Sequence, residues 1–260
     1  MEIIAGQGIP EITLRLNAMS EWTSGQPSSS GVSKTKELIA KFQQYGIAVN
    51  IDLHTWYTTW DSYFRDSASN VAANRATYIN YVEACIDAFE GEPVSAWMVL
   101  NEPQARTATT SENQFILDII AAAKSLTSAP VSVRFMGGYS PDTGHYSQQI
   151  DSACDFLCRN VYWDPRNPGT TVYGVTQAKM NNMISNAQSR GKPLWITEFG
   201  ESKDNLAEQA AYVAAFVAYA NSEGISAIFC WVSQPESGSA ETYNIFDGYT
   251  PNPAFYELIN

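Results

Sequence analysis

Short β-branched apolar runs alternate with longer amphipathic stretches along nearly all 260 residues, and this alternation limits the choice of fold most strongly. Runs such as 12–16, 47–53 and 96–100 are typical of buried parallel strands. The stretches 33–45 and 73–89 between them are typical of helices. Repeated strand–helix units build a parallel sheet covered by helices, so the sequence predicts an α/β fold.

The strand count predicts a (β/α)8 TIM-type barrel that is abbreviated at its N-terminus. Seven strand patterns are present, and 260 residues is about the length of one such barrel. Residues 1–11 are too few for a first strand and its helix, because a parallel crossover needs about a dozen residues or more. We find no linker, so residues 1–260 are predicted to form a single domain. An unclosed barrel leaves two sheet edges, so we expect either a homodimer through the gap or coverage by the terminal segments.

Composition argues against several classes of function. The net charge is −12, from 15 basic and 27 acidic residues, and such a surface repels the phosphates of nucleic acids. No apolar stretch is long enough to span a membrane, and no signal-peptide pattern opens the chain. The sequence has no glycine-rich phosphate loop and no four-ligand metal pattern, so we expect neither a cofactor nor a metal. A neutral substrate is compatible with this charge.

Four cysteines are present: Cys85, Cys154, Cys158 and Cys230. No second pair and no nearby histidine completes a metal site with Cys154 and Cys158. The favoured interpretation is four free thiols packed in or near the core. The alternative is a disulfide that uses Cys154 or Cys158.

Two glutamates carry the strongest functional signal. Glu102 lies in Asn-Glu-Pro and Glu198 in Ile-Thr-Glu-Phe-Gly, each at the end of an apolar strand. Such side chains point into the mouth of a barrel, where the catalytic groups of this fold lie. Two carboxyl groups about 5 Å apart can hydrolyse a glycosidic bond with retention of configuration. A single glutamate at a strand end is a common surface residue, but the pair in these surroundings favours catalysis.

With these motifs the chain resembles the clan A glycoside hydrolases and, within them, glycoside hydrolase family 5, over roughly residues 11–260. The resemblance implies that Glu102 is the general acid/base and that Glu198 is the nucleophile. In that clan the Asn-Glu pair ends the fourth barrel strand and the second glutamate ends the seventh. Asn101 would then hydrogen-bond the sugar 2-hydroxyl.

The resemblance also assigns roles to four residues at other strand ends. Arg15 would keep the nucleophile ionised, and His54 would bind sugar hydroxyls. Tyr162 would hydrogen-bond the nucleophile, and Trp231 would form a platform under the sugar. The alternatives are a surface arginine, a core imidazole and two core aromatic residues. The family usually has a histidine where this chain has Asn160, which can form hydrogen bonds but cannot titrate.

Side-chain alternation separates the remaining tryptophans. Trp97 and Trp195 are an odd number of residues before the two glutamates, so they are predicted to face the helices as core residues. Trp22 and Trp56 follow strand ends, and we predict that they form the walls of sugar subsites.

These observations predict a retaining endo-β-glycanase that cleaves β-1,4-linked glucan by double displacement and is secreted. A β-mannanase or a β-1,3-glucanase of the same clan is the alternative within this class. An alternative of another class is a non-catalytic carbohydrate-binding barrel. The two retained glutamates favour the enzyme, because a binding protein does not need them.

Overall fold

The computed structural model describes residues 10–17, 21–55, 59–103, 109–138, 145–169, 175–200, 205–230, 246–247 and 250–259. The chain divides into two compact units. The first consists of Met1–Phe135 and Tyr139–Leu157, and the second of Met136–Gly138 and Cys158–Asn260.

Strands and helices alternate in the first unit, as the sequence predicts. Its strands are β1 (Glu11–Asn17), β2 (Ala48–His54), β3 (Val94–Asn101) and nearly all of β4 (Val131–Met136). Its helices are α1 (Ser29–Gln44), α2 (Val71–Ala88), α3 (Thr110–Leu126) and α4 (Gln148–Ala153). A 3-10 turn (Trp22–Ser24) and a π-helical turn (Trp60–Phe64) lie in the loops after β1 and β2.

The second unit continues the alternation. Its strands are nearly all of β5 (Leu157–Asn160), then β6 (Leu194–Phe199), β7 (Ala227–Cys230), β8 (Phe246–Asp247) and β9 (Thr250–Pro251). Its helices are α5 (Gln177–Ser189), α6 (Leu206–Ser222) and α7 (Pro253–Ile259). Strands β8 and β9 pair antiparallel as a short separate ribbon.

The order of the main strands is that of successive barrel units. Strands β1 to β7 follow one another in chain order, and the pairs β1–β2, β2–β3, β3–β4 and β6–β7 are parallel. The predicted TIM-type fold is thereby confirmed, with seven strands in the main sheet of the described part of the chain. In the first unit the register sets Arg15 opposite Asp52 and Asn17 opposite His54. These polar residues therefore share the carboxyl end of two neighbouring strands.

Hydroxyl side chains cap the starts of α1, α3, α4 and α5. The spacing of Ser111 and Gln114 ahead of an apolar run predicts a capping box for α3, and this prediction is wrong by two residues. The structure uses Thr109, whose hydroxyl accepts from the N–H of Glu112 (3.2 Å) while the Glu112 carboxylate accepts from the N–H of Thr109 (3.3 Å). Thr176 caps α5 by accepting from the N–H of Lys179.

Aromatic side chains fill the space between strands and helices. Trp97 is buried against Phe89, as side-chain alternation predicts, and Trp195 packs against Phe229 in the second unit.

The four cysteines are free thiols, which confirms the favoured interpretation. Within the described ranges no helix is both long and apolar enough to cross a bilayer.

Candidate active site

Glu102 lies directly after β3 in an uncommon backbone conformation. Its φ is +47°, and among the described non-glycine residues only Asn70 shares a positive value. Its N–H donates to the carbonyl of Arg134 on β4 at 2.8 Å, and Pro103 follows it. A left-handed φ costs about 1–2 kcal/mol for a residue with a Cβ, and such strain tends to concentrate at functional sites. The half-buried Glu102 side chain is thus aimed by its main chain.

Asn101, the residue before Glu102, joins the end of β3 to the end of the neighbouring strand β2. Its side-chain amide donates to the Thr55 carbonyl at 3.0 Å, and the Thr55 hydroxyl donates to the Asn101 carbonyl at 3.0 Å. This reciprocal pair joins the end of β3 to the residue after β2. The predicted contact of Asn101 with a sugar hydroxyl stays a prediction.

His54 ends β2 beside a buried ion pair. Its Nδ1 is 3.1 Å from Oδ2 of Asp52, and the same oxygen accepts a close contact from the guanidinium of Arg134. Burial alone would raise the pKa of Asp52, but Arg134, His54 and Arg15 outweigh burial and hold that pKa below its ordinary value. His54 is 3% exposed and hydrogen-bonded, and its role in sugar binding stays a prediction.

Arg15 has a carboxylate neighbour within its own unit. It lies opposite Asp52 in the register of β1 on β2, and its charge helps to lower the pKa of Asp52. An arginine in this place is a half-buried cation at a strand end, not an isolated surface residue. Its predicted effect on Glu198 stays a prediction.

Glu198 lies near the carboxyl end of β6 in the second unit and is 4% exposed. The phenol of Tyr162 donates to its Oε2 at 2.8 Å, which is the contact that the family resemblance implies. The Glu198 carbonyl also accepts from the N–H of Val161 at 2.7 Å. A hydroxyl donor stabilises the ionised form of a carboxylate, which suits a nucleophile.

Asn160 and Gly137 shape the strand that carries Tyr162. The Thr197 hydroxyl donates to Oδ1 of Asn160 at 2.9 Å, so the family's histidine is replaced here by a hydrogen-bond acceptor on β5. The N–H of Gly137 donates to the Asn160 carbonyl at 2.8 Å. A Cβ at Gly137 would be 2.9 Å from the side chain of Val161 and 3.1 Å from that carbonyl. This close approach requires glycine.

The prediction that Trp22 walls a sugar subsite is wrong. Its side chain is 2% exposed, with ring centroids 5.0 Å from Phe64 and 5.2 Å from Tyr63. A ring enclosed by other aromatic rings cannot stack on a sugar. The polar residues around it follow a strand end, but the segment folds back onto the aromatic core. Trp56 and Trp231 lie outside the described residues.

Three site-forming residues were missed from the sequence: Asp52, Thr55 and Arg134. Asp52 is two residues before His54 on the same face of β2, which is a signal that the sequence carries. Arg134 interrupts the apolar run Val-Ser-Val-Arg-Phe, and a charge inside a predicted buried strand needs a partner. Thr55 leaves no such signal, because its role depends on backbone geometry. In the described ranges no group of three or more His, Cys, Asp or Glu residues could hold a metal.

Comparisons with known proteins agree with the resemblance. The family model described as Cellulase (glycosyl hydrolase family 5) matches residues 11–237. No curated protein matches the chain.

Solved structures share the fold at low identity. A GH113 β-1,4-mannanase is 16% identical, with 99% of this chain and 89% of that chain covered and a TM-score of 0.74. The endo-1,4-β-D-mannanase of Thermotoga petrophila is 17% identical, with 98% and 92% covered and a TM-score of 0.71. Cel5A of Thermotoga maritima, solved with cellobiose, is 14% identical, with 100% and 88% covered and a TM-score of 0.70. Likeness at this identity concerns the fold alone.

Proposed function

Because the chain belongs to glycoside hydrolase family 5, we propose that it is a retaining endo-β-glycanase that hydrolyses β-1,4-linked glucan. The observation that carries the proposal is the placement of the two glutamates, each at the carboxyl end of a parallel strand. Glu198 is nearly buried and receives the Tyr162 hydroxyl, and Glu102 is half-buried with a positive φ. Membership of a family of hydrolases argues against the non-catalytic carbohydrate-binding barrel.

The proposed reaction is a double displacement. The Glu198 carboxylate attacks the anomeric carbon, the glycosidic C–O bond breaks, and the Glu102 carboxyl gives its proton to the leaving oxygen. In the second step the Glu102 carboxylate takes a proton from water. The water oxygen attacks the anomeric carbon and releases Glu198, so configuration is retained and both carboxyl groups return to their first state.

Glucan is the first candidate substrate because the matching family model is the cellulase model. Mannan is the second candidate, because two of the structures that share the fold are β-1,4-mannanases. Endo action is proposed because the loop after β2 is long and rich in aromatic residues, of which Tyr63 is exposed, and this suits a cleft that holds several sugars.

Reducing-sugar release from carboxymethyl cellulose, galactomannan and laminarin, run side by side, tests the substrate. We expect the highest kcat/KM on carboxymethyl cellulose, with Glu198→Gln as the inactive control for each polymer. A higher value on galactomannan or laminarin would replace the glucanase proposal with a mannanase or a β-1,3-glucanase. A viscosity that falls early, before much sugar is released, distinguishes endo from exo action.

The proposed substrate also bears on where the enzyme acts. A glucan polymer is too large to enter a cell, so we place the enzyme outside the cell. Detection of the protein in the cell pellet and not in the culture medium of its host would contradict this.

In the described part of the chain β1 is the first strand of the sheet and pairs with β2, which supports a homodimer through its other side. Its first five residues are half-buried, whereas all residues of β2 after Ala48 are buried. A strand at the end of a sheet can pair with the same strand of a second copy. Light scattering at high protein concentration should give twice the mass of one chain, and a monomer would refute the dimer.

A further inference from the structure

The start of α3 contacts three of the loops that follow strands in the first unit. Glu112, in the first turn, accepts from the N–H of Asp66 in the loop after β2 at 3.1 Å and from the N–H of Thr109, the last residue before α3, at 3.3 Å. The next residue, Asn113, accepts at 2.8 Å from the N–H of Ser147, the residue before α4. Loops of this kind build the active-site face of a barrel. One helix start therefore joins the loops after β2, β3 and β4.

Asp66 returns hydrogen bonds to the same helix start. Its carboxylate accepts from the hydroxyl of Thr109 at 2.5 Å and from the hydroxyl of Ser111. Arg75 of α2 pairs with Asp66 at 2.8 Å, so Asp66 is held from α2 as well. The hydrogen bonds between the two loops form a clasp, which consists of Asp66, Thr109, Ser111 and Glu112.

The clasp goes beyond what the start of a helix requires. A capping box needs only the Glu112 oxygen that accepts from Thr109. The other oxygen accepts from Asp66, 46 positions away in the chain, and the Glu112 side chain is buried with both bonds formed. By contrast, the start of α1 is held within a single loop, where Glu21 accepts from the N–H of Ser28 at 3.0 Å. The second oxygen of Glu112 therefore points to a role in holding two loops together.

The clasp fixes the far end of the segment that begins at Glu102. The N–H of Glu102 donates to the carbonyl of Arg134 at 2.8 Å, and its φ is +47°. Such a conformation persists only when the surrounding structure enforces it. Thr109, at the other end of segment 102–109, belongs to the clasp, so this segment is fixed at both ends. Fixing both ends of a short segment reduces the number of conformations open to it.

We propose that Asp66 and Glu112 are positioning residues that hold Glu102 in the orientation from which it gives its proton to the leaving oxygen. The proposal rests on the proposed function for the reaction, but the hold on the Glu102 main chain is a property of the free protein. The two residues act on Glu102 through Thr109 and the segment 102–109. Opening the clasp frees one end of this segment and lets Glu102 leave its positive φ.

Kinetics with two kinds of leaving group test the proposal. Glu112→Gln places an amide NH2 against one of the two N–H groups, and Asp66→Ala removes the acceptor of both hydroxyls. Each variant should lower kcat/KM on polysaccharide by about 10-fold, a part of the full contribution of general acid–base catalysis. On an aryl glycoside with an activated phenol, which leaves without a proton, each should lower it less than about twofold. Equal losses on the two substrates, or no loss on either, would overturn the proposal.

Glu21→Gln is the matched control. It changes a carboxylate that also accepts from a main-chain N–H before a helix of the same unit, but within one loop. The ratio of its two kcat/KM values should equal that of the wild type. A ratio changed as much as in Glu112→Gln would show that the effect is not particular to the clasp, and would overturn the proposal.

Amide hydrogen exchange supplies a readout that does not depend on activity. In Glu112→Gln and Asp66→Ala the Glu102 amide should exchange at least about 10-fold faster than in the wild type, whereas Glu21→Gln should leave it unchanged. Unchanged exchange of the Glu102 amide in both clasp variants would overturn the proposal.

The wild type alone provides a further test. Because opening the clasp frees Glu102, the amides of Asp66 and Glu102 should be protected to a similar degree. A Glu102 amide protected about 100-fold more than that of Asp66 would overturn the proposal, even if neither variant folds. If the variants accelerate exchange at Glu102 but the wild type hydrolyses no polysaccharide, the proposed function is refuted and the hold of the clasp on Glu102 is supported.

Discussion

The surroundings of Glu102 and Glu198 differ in how each carboxylate is held. Glu198 is nearly closed off from solvent, and a phenol donates directly to its side chain. Glu102 is half-buried, and its main chain, at a positive φ, donates to the carbonyl of Arg134. The difference suits two roles. A nucleophile benefits from a fixed, ionised carboxylate, whereas a group that gives and takes protons must reach water.

The largest expected effect is that of removing the nucleophile. Glu198→Gln keeps the shape of the side chain and its contact with Tyr162 but replaces the attacking carboxylate with a neutral amide. We expect kcat on polysaccharide to fall by at least about 10⁴-fold, with binding of the polymer retained. Initial-rate kinetics and a binding isotherm on the same polymer check this. Activity near the wild-type value would show that Glu198 is not the nucleophile.

The next largest effect is expected from removing the general acid/base, and its size depends on the leaving group. Glu102→Ala should lower kcat/KM on polysaccharide by about 10²–10⁴-fold, the usual contribution of general acid–base catalysis. An aryl glycoside with an activated phenol needs no proton for bond cleavage, so its first step should be nearly unaffected. Added azide should then raise turnover of Glu102→Ala and give a glycosyl azide of retained configuration. If azide gave the inverted product, the roles of the two glutamates would have to be exchanged.

A smaller effect is expected from the group that holds Glu198. Tyr162→Phe removes a hydrogen bond to a charged group, worth about 1.5–3 kcal/mol, which corresponds to about 10- to 150-fold in kcat/KM. Tyr219→Phe is the matched control in the same unit, because the buried Tyr219 hydroxyl has no hydrogen-bond partner in the described ranges. Equal kinetics for the two variants would contradict the role assigned to Tyr162.

The smallest effect concerns Asp66 and the start of α3. Asp66, after β2, accepts from Ser111 and, at 2.5 Å, from the hydroxyl of Thr109 at the start of α3, and it pairs with Arg75. These donors, Ser111 foremost, lower the pKa of Asp66. A lowered pKa adds stability above the ordinary value near 4, and this stability is lost as the pH falls through the folded-state pKa.

Asp66→Asn should therefore cost less than about 1 kcal/mol of unfolding free energy at pH 7, because solvent screens this exposed group. Urea titrations of both proteins at pH 7 and pH 3 measure the difference, which should shrink at the lower pH. A difference that grows as the pH falls would have the wrong sign for this account.

The fold and the ends of β3 and β6 could be predicted from the sequence, since apolar alternation and motifs at strand ends are local signals. The contact of Tyr162 with Glu198 follows from the family resemblance and is present. The Arg134–Asp52 pair joins residues 82 positions apart, and no local pattern states which carboxylate a buried arginine contacts.

Trp22 is a second case in which the sequence alone does not predict the position of a side chain. A tryptophan after a strand end is compatible with both a sugar platform and a core ring, and the choice depends on where the loop folds. Here Phe64, in the loop after β2, and Tyr78, in α2, enclose the ring, so packing between distant segments decides its place. The cap of α3 also involves a distant residue: Asp66 accepts from the hydroxyls of both Thr109 and Ser111, so the local spacing alone does not tell which of the two starts the helix.

Trapping of the glycosyl-enzyme tests the central claim most directly. A 2-deoxy-2-fluoro glycoside with a good leaving group slows hydrolysis of the covalent intermediate, and peptide mass spectrometry then locates the sugar. The account predicts one sugar per chain, esterified to Glu198 and absent from Glu198→Gln. A sugar found on another residue, or inversion of configuration with no adduct, would contradict it.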